Sequence, residues 1–158
     1  MPDGNVLEVL HMQGDRVHRL VEGLSPEQAG HRYAEDKWTV KQVLGHLVDS
    51  ERVFAYRAMC IARGEQKSLP GFDQDNYVEE GHFDERSTET LAAEYRALRE
   101  ATVHLFNSFS EEVALRGGRA NELKVTVRAL AWIIAGHERH HLRLFRERYG
   151  LPLPDAAD

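Results

Sequence analysis

His137 and His141 stand one helical turn apart on the apolar side of a segment whose periodicity predicts a helix. Two imidazoles four residues apart point the same way and can share one metal ion. His140, three residues after His137, offers a competing spacing and is otherwise read as a residue at the rim of the site. A third candidate, His46, sits just after the start of another long helical segment. Its helical-wheel position is the margin of that segment's apolar stripe, close to Val43 and Ser50. Three neutral nitrogen ligands leave a coordination position for water or substrate, the layout of a reactive site rather than a closed structural one. Such a set suits zinc or nickel first, with iron, cobalt and manganese as alternatives.

His137, Glu138 and His141 also satisfy the HExxH pattern, in which the glutamate polarises the attacking water of a zinc peptidase. The further ligand of those enzymes is missing: no histidine follows His141, and Glu147 lies too close to it. Glu138 and Glu51 are the two candidates to accept or relay a proton. Glu51 interrupts the inner stripe of its helix, so it either serves the site or pairs with an arginine such as Arg128. Cys60 lies more than three turns beyond His46 and reads as a small packing residue. Trp38, just before a helix start, reads as a hydrophobic staple against Val43.

The elements that must position these residues are helical. Val6, Leu10, Val17, Leu20 and Val21 mark a first helix over roughly 6–21, weakened by Gly14. Ser25, Pro26 and Gln28 predict a short capped turn. Thr39 and Gln42 form a capping box that opens a second long helix, ending near Arg63 and Gly64. Its stripe runs through Val40, Val43, Leu44, Leu47, Phe54 and Ala58. Residues 64–86 read as a long crossover with one short helix near 73–80, which spans the bundle or covers a site. Leu91, Tyr95, Leu98, Thr102, Leu105 and Phe109 mark the third long helix, 88–109. Residues 115–125 could briefly extend, but they show no convincing strand pattern. The fourth long helix spans about 125–149, and Pro152 and Pro154 stop its continuation. The fold class is therefore all-α: a four-helix bundle over 1–150, then a short tail over 151–158.

Composition bounds the function. The 158 residues fit one domain, and 42% hydrophobic residues suffice for a sizeable core. A net charge of −6 gives nucleic acid no general electrostatic reason to bind. No apolar run is long enough to cross a membrane. A single cysteine and no basic-then-apolar leader point to a cytoplasmic setting.

The stretch Trp38, Thr39, Val40 through His46, Leu47 and Glu51 resembles the N-terminal signature of the DinB/YfiT-like superfamily. The stretch from Ala135 through His137, Glu138 and His141 to Leu142 resembles its C-terminal signature. The resemblance implies that superfamily's unusual four-helix connectivity, a homodimer, and a metal triad matching His46, His137 and His141. It also implies small-molecule chemistry. Transfer of a low-molecular-weight thiol of the bacillithiol or mycothiol type is the leading expectation. Metal-dependent hydrolysis follows, and a non-catalytic metal- or ligand-binding stress protein is the other alternative. The separate C-terminal domain of the mycothiol-dependent isomerases has no room in this sequence, a departure from the resemblance that weakens the expectation of that particular reaction.

Overall fold

The computed structural model describes residues 5–153. Four long helices carry the architecture: α1 (Val6–Glu22), α3 (Val40–Ala62), α5 (Thr88–Asn107) and α7 (Val127–Glu147). Between them lie the short helices α2 (Pro26–Gly30), α4 (Gln74–Glu80) and α6 (Glu111–Ala114), a 3-10 turn at Phe83–Glu85, and the hairpin β1 (Gly117–Ala120) and β2 (Leu123–Thr126). The expected caps at Ser25 and Thr39 form as reciprocal capping boxes with Gln28 and Gln42, and Asp73, at the start of the short helix expected near 73–80, caps α4.

Around the bundle the order is α1, α5, α3, α7, so α1 and α3 are diagonal to each other, as are α5 and α7. Two core clusters give the directions. One joins Val17 and Leu20 of α1 to Val43 and Leu47 of α3, Tyr95 of α5 and Phe145 of α7. The other joins Leu10, Ile61, Phe106 and Leu130. Hence α3 and α5 run parallel, with α1 and α7 antiparallel to both. Parallel neighbours need a connection as long as the helix itself. The 23 residues of α3 span about 34 Å, which explains why 63–87 is long.

That crossover is pinned at several points. The Thr39 hydroxyl donates to Asp84 Oδ1 at 2.5 Å, and Lys41 Nζ donates to the Asp84 and Arg86 carbonyls. Phe83 packs so closely on Gly45 that a Cβ there would sit 2.2 Å from the ring. Further along, Leu69 N–H donates to the Arg119 carbonyl, tying the crossover to β1.

The hairpin at 117–126 goes beyond the expectation of at most brief extension without a strand pattern. Gly117 and Gly118 bring no strand propensity. The two-residue turn uses Asn121 and Glu122 at φ of 50° and 61° instead of the usual Asn-Gly pair. What favours the strand is its neighbourhood: a Cβ on Gly118 would meet Ile61 at 2.6 Å, so glycine lets β1 lie against α3. The ends of the long helices also differ from expectation by one or two residues, with α5 ending at Asn107 and α7 running Val127–Glu147. Leu151 is buried and Leu153 packs on the first core cluster, while residues 154–158 lie outside the described part. Among the described residues no helix is long and apolar enough to cross a membrane.

Candidate metal centre

His46 reaches the bundle interior from the second turn of α3, at the end made rigid by the Thr39 box. His137 and His141 descend from α7. Although α3 and α7 are distant in sequence, they are neighbours in the bundle. His46 Nε2 lies 3.0 Å from His137 Nε2, which in turn lies 3.2 Å from His141 Nε2. Tetrahedral coordination at about 2.05 Å puts ligand nitrogens about 3.3 Å apart. The three ligand atoms lie within 4.8 Å of one another, and no fourth His, Cys, Asp or Glu joins them among the described residues. The cluster can coordinate one divalent metal ion. His140 is exposed, and its ring stacks edge-on against His141 outside the cluster.

Burial keeps these imidazoles neutral, which is the ligand form. Desolvation lowers the His46 pKa to about 4, reinforced by His137. It lowers His137 to about 4, with His140 adding to the effect. For His141 the value falls to about 3, again chiefly by desolvation, then through the neighbouring histidines. Three neutral rings aiming lone pairs at one point cannot all be satisfied by their own N–H groups. A cation satisfies them together, so the donor set fits a metal. Around the rings, Ser50 Oγ makes a long 3.4 Å contact with His46 Nδ1, and the rings of Trp38 and Phe54 flank His46 and His137. His46 is 3% exposed, deeper than the stripe margin at which its wheel position places it.

Both glutamates expected at the site lie beside it in a buried charge network. Arg99 of α5 donates through Nε and Nη2 to Glu51 at 3.0 and 2.8 Å, through Nη2 to Glu138 Oε2, and through Nη1 to the Leu10 carbonyl at 2.6 Å. The Tyr95 hydroxyl also donates to Glu138 Oε2. One guanidinium therefore touches all four long helices. Burial alone would lower its pKa, but Tyr95, Glu138 and Glu51 outweigh that and hold it protonated. Burial raises the Glu138 pKa against the pull of Arg99. Glu138 Oε1 has no hydrogen-bond partner among the described residues. Glu138 also lines a cavity of about 10 Å³, scarcely one water in size, together with His137, Glu51, Tyr95 and Arg99.

Glu51 does pair with an arginine, but with Arg99 rather than Arg128, which pairs with Glu111 at the surface. Arg99 is the residue that sequence reasoning missed. Its signal was present: Tyr95, Arg99, Thr102 and Phe106 recur at spacings of four, three and four, so Arg99 occupies a core position of α5. Gly14, read as a weak point of α1, is the space Arg99 passes through, since a Cβ there would meet Arg99 Cγ at 2.9 Å.

Comparison with known proteins agrees with this architecture. Residues 10–145 match the DinB superfamily. Over 138 residues, covering 86% of this chain and 79% of the relative, the chain is 24% identical to a protein of Oceanobacillus iheyensis named "putative metal-dependent hydrolase". Among solved structures, it is similar to YfiT from Bacillus subtilis, described as "a probable metal-dependent hydrolase with an unusual four-helix bundle topology". That likeness has a TM-score of 0.80 at 22% identity and covers 93% of this chain and 87% of that one. The fold is also like that of the mycothiol-dependent maleylpyruvate isomerase, with a TM-score of 0.76 at 12% identity, covering 99% of this chain and 65% of that one.

Proposed function

From the premise that this chain belongs to the DinB superfamily, we propose that it is a metal-dependent enzyme acting on small molecules, with hydrolysis as its reaction. The observation that carries this reading is the three-histidine cluster without a fourth protein ligand among the described residues. His46, His137 and His141 hold the ion, zinc or nickel by the chemistry of the donor set. A divalent ion there supplies Lewis acidity, lowering the pKa of the water or thiol that takes the open position. Glu138, which lines the small cavity beside His137 and whose Oε1 has no hydrogen-bond partner among the described residues, would be the group to accept a proton there. Glu51 has both oxygens on Arg99, so it acts as a positioning residue that fixes the guanidinium and through it Glu138.

Hydrolysis takes precedence over the thiol transfer expected from sequence because the relatives named above as hydrolases are the more similar in sequence. Thiol transfer is the second reading, favoured by the shared fold of the mycothiol-dependent isomerase. Metal analysis of purified protein, coupled to panels of ester, amide and lactone substrates and of thiols with electrophiles, tests both. About one ion per chain is expected, with hydrolytic turnover that chelation removes and the ion restores. In His46→Ala, turnover disappears while the helical circular-dichroism signal stays. Turnover only with a thiol present would transfer the assignment to the second reading, and metal-loaded protein inert in every panel would remove both.

A further inference from the structure

A second cleft, of about 320 Å³, opens between α3 and the crossover. Its walls are the apolar and aromatic side chains of Tyr56, Leu69, Pro70, Phe72 and Tyr77, and Arg57 and Arg52 also line it. Tyr56 and Tyr77 are exposed, so aromatic surface faces solvent there. The two arginines differ in one respect. Arg52 is satisfied by Glu94 at 2.5 Å and Asp49 at 3.5 Å. Arg57 is 7% exposed, yet no carboxylate lies within ion-pair distance of it among the described residues. Its Nη2 donates to the Pro70 carbonyl at 2.6 Å, and its Nε has no partner. A buried cation without a counter-charge is costly, and such groups are ordinarily paired or hydrogen-bonded.

We propose that this cleft binds a small organic anion, a carboxylate on a flat apolar body, with Arg57 as the counter-charge and Phe72 and Tyr77 as the apolar walls. Arginine suits the carboxylate because its planar fork donates in the carboxylate plane, and aromatic walls suit a flat ligand. The volume falls in the range of small-ligand pockets. The assignment does not depend on the metal reading. Phe54 nevertheless lies between the two sites: Arg57 sits over its ring at 5.8 Å, and that ring meets His137 at 5.9 Å.

Calorimetric titration with benzoate and with its neutral isostere benzamide, on chelator-stripped and on zinc-loaded protein, tests the proposal. Benzoate is expected to bind at least about tenfold more tightly than benzamide in both metal states. Arg57→Met should lose that preference, and Phe72→Ala should weaken both ligands together. Arg57→Gln, which keeps a donor for the Pro70 carbonyl, is the second variant should Arg57→Met fail to fold. Shifts of the Phe72 and Tyr77 ring resonances on adding benzoate to the wild type provide a reading independent of any variant. Equal binding of the two probes, or no benzoate binding at millimolar concentration, overturns the proposal. Binding that vanishes on chelation overturns it too, because the anion would then be seated on the ion.

Discussion

At the scale of the residue, each histidine of the centre has a pKa in the fold below its ordinary value of 6.5, at about 4 for His46 and His137 and about 3 for His141. The unfolded chain therefore binds more protons than the fold as pH drops below about 6.5, and the fold loses stability through that window until the depressed values are passed. Chelator-stripped protein is expected to melt roughly 5 °C or more lower at about pH 4.5 than at about pH 7. A His46→Gln/His141→Gln variant should show a shallower slope. An equally steep slope in that variant would mean that other groups dominate the effect. Metal affinity separates the competing histidines. His137→Ala should lower zinc affinity by more than about 100-fold in a chelator competition, whereas His140→Ala should change it by less than about threefold.

At the scale of the element, the glycines of the long helices reverse an ordinary expectation. Alanine in place of a helical glycine usually stabilises by about 1 kcal/mol. In α1 the Gly14 Cβ would strike Arg99 at 2.9 Å, and in α3 the Gly45 Cβ would strike the Phe83 ring at 2.2 Å. Gly14→Ala and Gly45→Ala are each expected to destabilise by about 1–3 kcal/mol in urea unfolding. Exposed Gly136 of α7 has open space around its Cβ position, so Gly136→Ala should show the usual sign. Stabilisation by all three would mean that the neighbours of α1 and α3 yield freely. The caps behave as local chemistry dictates, and the Thr39 hydroxyl does two tasks by accepting from Gln42 N–H and donating to Asp84.

At the scale of the whole molecule, the guanidinium of Arg99 joins α5 to Leu10 of α1, Glu51 of α3 and Glu138 of α7. Removing that one cation leaves two buried carboxylates facing each other. Arg99→Met is expected to cost about 3–5 kcal/mol in urea unfolding. The triple variant Glu51→Leu/Arg99→Met/Glu138→Leu should recover much of that loss, because apolar packing of similar volume replaces the whole network. A triple variant as unstable as Arg99→Met alone would place the cost in packing rather than in unpaired charge.

The sequence by itself was enough for whatever depends on contacts a few residues apart. The capping boxes at Ser25 and Thr39, the α4 start at Asp73 and the shared face of His137 and His141 all follow from helical spacing and local hydrogen bonds. The family signatures further pointed to His46 as the third member of the cluster. Tertiary structure decided the rest, since each remaining feature joins groups from separate stretches of chain. Helical periodicity says which side of α5 is buried but not which charge Arg99 will meet there, so the choice for Glu51 between serving the site and pairing with an arginine stayed open, with Arg128 as the example. The hairpin at 117–126 showed in the sequence only as a stretch able to extend briefly, because its strands are favoured by α3 and the crossover rather than by their own residues. The diagonal placement of α1 and α3 arises because each helix must bury its stripe against two neighbours at once, a condition that belongs to the assembled bundle and to no single segment.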